Sequence, residues 1–231
     1  MREIIREEYK GYHVGYLPVV LSHEVVGKVG EYERSMTAIL DAYLQRSIKL
    51  EMEALNADTV CCALANDVEG ALVGAPLTIE TLTAPGREFA ASLEACRRLR
   101  ATAGDTLALL AGLPGPATLA ARFATDLATS APIFTALTKE FCAAGADLSL
   151  IFDAISDAAA WHDCLRTTSN IARFHRGVAL LWEPGGALPC PTRSAVSAPL
   201  AGVAGITTDC IVPADTNLEA LRHWVAVSNS Q

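Results

Sequence analysis

Between residues 106 and 182 the chain reads Thr106-Leu-Ala-Leu-Leu-Ala111, a helical pattern over 117–144, Leu148-Ser-Leu-Ile-Phe152, a second helical pattern over 161–174, and Gly177-Val-Ala-Leu-Leu-Trp182. Each aliphatic run is five or six residues long, too short for a stable helix and suited to a buried strand. Strand runs that alternate with helical patterns predict βα units and a parallel sheet. The alternation continues outward to runs at 13–21, 59–65 and 205–212, which makes six in all. Between the first two, residues 34–56 place Met36, Ile39, Leu40, Tyr43, Leu44, Ile48, Met52 and Leu55 at helical spacing, with charged residues elsewhere. Patterns over 87–103 and 217–227 complete the helical set. The expected class is α/β, and the repeated strand–loop–helix order favours a TIM-like (β/α) barrel, reduced to about six βα units, over a doubly wound sheet.

The expected organisation is a single domain over 1–231 with one irregular segment. Residues 184–202 hold four of the eleven prolines, have no apolar periodicity, and read as a place where barrel elements are missing. No GxGxxG or GxxxxGK[ST] follows any strand run, so the usual nucleotide-binding signatures are absent.

Composition narrows the partners. Of the 231 residues, 51% are hydrophobic, enough for a buried core, and 18 basic against 26 acidic side chains give a net charge of −8. Nucleic acid and anionic membrane surfaces attract clustered Lys and Arg, which this chain does not have, so neither is expected as a partner. The first eleven residues are charged where a signal peptide would turn apolar, and no window has the roughly 18 uninterrupted apolar residues of a membrane span. A cytoplasmic location is expected. The seven cysteines, at 61, 62, 96, 142, 164, 190 and 210, form no CxxC and no disulfide framework, and most read as small buried hydrophobes.

Four patterns in order resemble the uroporphyrinogen decarboxylase superfamily, and within it the corrinoid-linked (methylcobamide:thiol) methyltransferases. They are Leu17-Pro-Val-Val-Leu-Ser-His-Glu24; Asn56-Ala-Asp-Thr-Val60 with Ala65-Asn-Asp-Val-Glu69 and Leu72-Val-Gly-Ala-Pro76; Gly112-Leu-Pro-Gly-Pro-Ala-Thr-Leu-Ala120 with Ala144-Gly-Ala-Asp147 and Phe152-Asp153; and Thr208-Asp-Cys-Ile-Val-Pro-Ala-Asp-Thr-Asn-Leu-Glu219. The resemblance implies a barrel and a function around tetrapyrroles or methyl groups, foremost methyl transfer from a methylated corrinoid, carried on a partner protein, to a thiol. It also implies zinc, with Cys210 matching the closing cysteine of the family's metal site. The family's mid-barrel His-x-Cys is replaced here by Trp182-Glu-Pro184, and the arginine-rich loop of the true decarboxylases by Val19-Val-Leu-Ser-His23. The rival readings are a metal-independent decarboxylase or lyase acting on a tetrapyrrole or small carboxylic acid, and a non-catalytic relative that binds a tetrapyrrole or protein partner.

Barrel chemistry sits at the C-terminal ends of the strands, and that rule selects the candidate residues independently. Asp67, His23 and Glu183 are the candidates for catalysis: His23 as an acid or base near neutral pH, Glu183 as a carboxyl after an apolar strand, Asp67 as the acid that holds a substrate. Ser22, Asn66, Gly115, Thr118 and Asp153 are the candidates for substrate binding, and Cys210 for the metal. Each has a plain structural alternative: Asp67 and Thr118 as helix caps, His23 and Glu183 as loop residues, Cys210 as a buried thiol. His162-Asp163-Cys164 does not qualify as a relay, because neighbours on a helix point apart. A barrel short of strands exposes sheet edges, so a homodimer that covers the gap is expected.

Overall fold

The structure is a computed structural model and describes residues 19–20, 59–63, 76–85, 87–183, 186–189 and 211–212. In chain order the elements are β1 (Val19–Val20), β2 (Thr59–Ala63), α1 (Ile79–Leu82), α2 (Glu88–Ala103), β3 (Ala108–Pro114), α3 (Pro116–Arg122), α4 (Leu127–Ala144), β4 (Leu148–Phe152), α5 (Ala159–Phe174), β5 (Val178–Glu183), β6 (Gly186–Pro189) and β7 (Ile211–Val212). The class is α/β. Strands β2, β3, β4 and β5 lie side by side, all parallel, and β6 adds to β5 antiparallel. Separately, β1 pairs with β7 in parallel, which makes the first and last described strands neighbours. A closed barrel is not seen among the described residues.

All seven residues of β3 are buried, as expected for a strand covered on both faces. Leu109, Ala111 and Leu113 of β3, Ile151 of β4, and Ala179 and Leu181 of β5 turn one face towards the helices. There they join Phe89, Leu93, Leu99, Phe134, Leu137, Phe141, Trp161 and Leu165 in one core. Leu110, Leu150 and Leu180 of the alternate positions are buried as well. The register aligns the strands closely: Leu110 faces Leu148, Gly112 faces Leu150 and Leu180 follows, and Pro114, Phe152 and Trp182 form the last common row.

Two expectations are corrected. The helix expected over 117–144 is two helices: α3 ends at Arg122, the chain passes through Ala124 at φ 50°, and Asp126 caps α4 by accepting from the Thr129 amide at 2.8 Å. Asp at that position stops one helix and starts another, because its side chain satisfies an amide that the new helix leaves unpaired. The segment expected to be irregular from 184 onward contains β6, whose Leu188 lies opposite Leu181 and Pro189 opposite Leu180. Proline removes one amide and is tolerated on such an edge strand. The expected helices at 34–56 and 217–227 lie outside the described residues.

The opposite end of the sheet is tied by charge. Asp147, 3% exposed, precedes β4 and accepts from the Leu109 amide at 3.0 Å and from the Arg100 guanidinium of α2. Arg100 also donates to the Gly145 and Leu107 carbonyls, at 3.0 and 2.9 Å. One cation thereby closes the C-terminus of α4, where Gly145 takes φ 111°, onto the loop that feeds β3.

Candidate functional site

The strand ends bring three of the sequence-selected residues together. Gly115, Asp153 and Glu183 each follow or close the row Pro114–Phe152–Trp182, so that β3, β4 and β5 deliver them to one edge of the sheet. Glu183 pairs with Gly186 at the turn into β6. Ser22, His23, Asn66, Asp67 and Cys210 lie outside the described residues.

Asp153 is the centre of this edge. Its Oδ1 accepts from the Thr118 amide at 2.7 Å and the Thr118 hydroxyl at 2.8 Å, and its Oδ2 accepts from the Ala117 amide at 3.1 Å and the Trp161 indole N–H at 2.7 Å. The carboxylate therefore supplies the side-chain cap that Gly115 cannot give α3, and it also anchors α5. Gly115 is required by this contact: a Cβ there would stand 2.3 Å from Asp153 Cγ. The Gly115 amide donates to the Phe152 carbonyl at 2.8 Å, its carbonyl accepts from the Leu119 amide at 2.9 Å, and the Pro116 carbonyl accepts from the Ser130 hydroxyl at 2.8 Å.

Of Gly115, Thr118 and Asp153, read from the sequence as substrate-binding, Thr118 donates to Asp153 and Gly115 leaves room for its carboxylate. Trp161 was not among the sequence candidates. It is 2% exposed, and a buried indole N–H needs an acceptor, a need that only the fold reveals. The exposed His162 ring stands edge-on to Trp161, Asp163 pairs with Arg166, and Cys164 faces α4 with its Sγ 3.5 Å from Thr135 Oγ1. The three neighbours point apart as their helical spacing requires.

Among the described residues no three His, Cys, Asp or Glu side chains gather in a way that holds a metal ion. Cys96, Cys142 and Cys164 are free and separately buried. Burial pushes the Cys142 thiol up to about 11, with the Asp147 charge adding to the rise and the Ser149 hydrogen bond opposing it. Burial also raises Cys164. Neither is a thiolate near neutral pH, so neither is a ready zinc ligand. The described side chains do not fit a zinc centre, and the metal expectation rests on Cys210 alone. A cleft of about 480 Å³ opens beside α1, α2 and α4, lined in part by Glu80, Leu93, Arg97 and Glu140, and none of the described candidate residues lines it.

No protein-family model matches the chain. Over 54 residues it is 68% identical to the acetophenone carboxylase gamma subunit of Aromatoleum aromaticum, a match that covers 23% of this chain and 7% of that protein. Among solved structures, a methyltransferase from Methanosarcina mazei aligns with a TM-score of 0.49 and 16% identity, over 78% of this chain and 68% of that one. Among the described residues no helix is long and apolar enough to cross a membrane.

Proposed function

We propose that the C-terminal edge of the parallel sheet is a methyl-transfer site of the uroporphyrinogen-decarboxylase-like kind, set in a reduced barrel, which moves a methyl group from a methylated corrinoid to a thiol. One observation carries the reading: β3, β4 and β5 end in a common row and present Gly115, Asp153 and Glu183 at the edge where (β/α) proteins place their chemistry. The four sequence motifs supply the reaction class.

In this reading the thiol proton passes to Glu183 or His23, the sulfur attacks the methyl carbon, and the cobalt–carbon bond breaks with its electron pair left on the corrinoid. The same reading assigns Asp67 to anchoring the substrate and Ser22 and Asn66 to binding it. Zinc at Cys210, when bound, would favour the thiolate form of the acceptor. The corrinoid arrives on a partner protein, and the setting is the cytoplasm.

The test mixes the purified full chain with methylcobalamin and 2-mercaptoethanol under anaerobic conditions and follows conversion to cob(I)alamin by absorbance, beside elemental analysis of bound zinc. Enzyme-dependent conversion that is lost in Glu183→Gln or Cys210→Ser supports the reading. No conversion above the thiol-only control sinks it. A second reading, a non-catalytic relative that binds a tetrapyrrole or a protein, is favoured by Asp153: both its oxygens are taken by internal donors, so this carboxylate is not free to act as an acid or base.

A further inference from the structure

We infer that Asp153 is a positioning residue of the proposed site: it sets the 115–118 loop and α5 at the strand ends and does not itself take the substrate. The inference rests on the methyl-transfer reading for what is being positioned, and on the geometry of four bonds for how. Both carboxylate oxygens are filled, each by two donors, from the Ala117 and Thr118 amides, the Thr118 hydroxyl and the Trp161 indole. An incoming ligand polar group would have to displace one of these donors. Three separate elements meet at this single side chain: α3 through its first amides, α5 through Trp161, and β4, from which Asp153 itself follows.

The rest of the corner is closed in the same way. The amide and carbonyl of Gly115 and the carbonyl of Pro116 all have internal partners. Gly115 leaves space for the Asp153 carboxylate, and any larger residue would occupy it. The β3–β4 corner is therefore a rigid wall whose polar groups are spent on one another. The proposal leaves substrate contacts to the other candidates, among them Glu183, whose backbone ends β5.

A positioning residue and a substrate ligand leave different kinetic marks. Loss of a ligand that binds substrate and transition state alike raises KM and spares kcat, whereas a wall displaced by about 1 Å lowers kcat, by as much as about a hundredfold. The experiment measures kcat and KM for methylcobalamin in Asp153→Ala, Asp153→Asn and Trp161→Phe, together with amide hydrogen exchange in each. The expected result is a kcat at least about tenfold lower in Asp153→Ala, with KM changed less than about threefold, and fast exchange at Ala117 and Thr118. Trp161→Phe, which removes one donor of the four, keeps the fold measurable and shows the same pattern more weakly. A KM raised about tenfold or more with kcat unchanged, while the Ala117 and Thr118 amides stay protected, overturns the inference. If the wild-type chain does not turn over, the methyl-transfer reading falls and takes the positioning role in that site with it, and fast Ala117 and Thr118 amides in Asp153→Ala then show only that the carboxylate caps α3.

Discussion

At the scale of a residue, Gly115 is the most constrained position at the strand ends. Its backbone, at φ −71° and ψ 177°, is open to any amino acid, so the constraint is steric: the space a Cβ would fill holds the Asp153 carboxylate. Gly115→Ala is expected to push that carboxylate off the α3 amides and destabilise the domain by about 1–3 kcal/mol, the usual cost of forcing an atom into a packed site. Thermal melting checks the stability, and exchange at Ala117 and Thr118 checks the cause. Cys142 gives a pH-dependent prediction. Its folded value of about 11 lies above the ordinary 9.0, so the folded state disfavours the thiolate. Its contribution to stability is then complete below pH 9 and lost as the pH rises towards 11. Melting temperature should fall more steeply across that window in the wild type than in Cys142→Ala, and equal slopes would show that the buried thiol has no part in it.

At the scale of elements, the two ends of the sheet are held by two carboxylates with different partners. Asp153 holds the C-terminal edge with neutral donors, and Asp147 holds the opposite end with the Arg100 guanidinium and the Leu109 amide. Arg100 is 15% exposed and its partner 3%, so removal of the cation strands a buried charge. Arg100→Ala is expected to cost about 3–5 kcal/mol, read as a lower urea midpoint with an unchanged slope. Any loss of the proposed methyl transfer should come through unfolding, since none of the described candidates, Gly115, Thr118, Asp153 and Glu183, lies at this end. The elements themselves were unevenly legible. Strand β4 coincides with the aliphatic run 148–152, because its first four residues, the small Ser149 included, are buried and only Phe152 at its end is partly exposed. The break between α3 and α4 was hidden, because Ala-rich sequence on both sides of Asp126 keeps a helical pattern while the capping aspartate ends it.

At the scale of the whole molecule, the parallel pairing of β1 with β7 sets Val19 opposite Ile211 and Val20 opposite Val212, residues far apart in the chain. Beside this, among the described residues β6 is the antiparallel edge of the larger sheet. A homodimer that covers that edge is the expected state in solution, and light scattering at micromolar concentration should return about 49 kDa, twice the mass of one 24.4 kDa chain. A monomeric mass would remove this part of the proposal.

The alternation of aliphatic runs with helical patterns determined, by itself, that this is an α/β protein with parallel strands, since periodicity and run length record burial directly. Sequence order also selected the strand-end positions Gly115, Thr118 and Asp153. Only the tertiary structure decided what those residues do there. Their hydrogen bonds join β4 to α3 and α5 across 35 and 8 positions of chain, and local pattern carries no trace of which donor a carboxylate will meet. The partnership of Trp161 with Asp153 and the antiparallel β6 were decided in the same way, because each depends on groups brought together by folding.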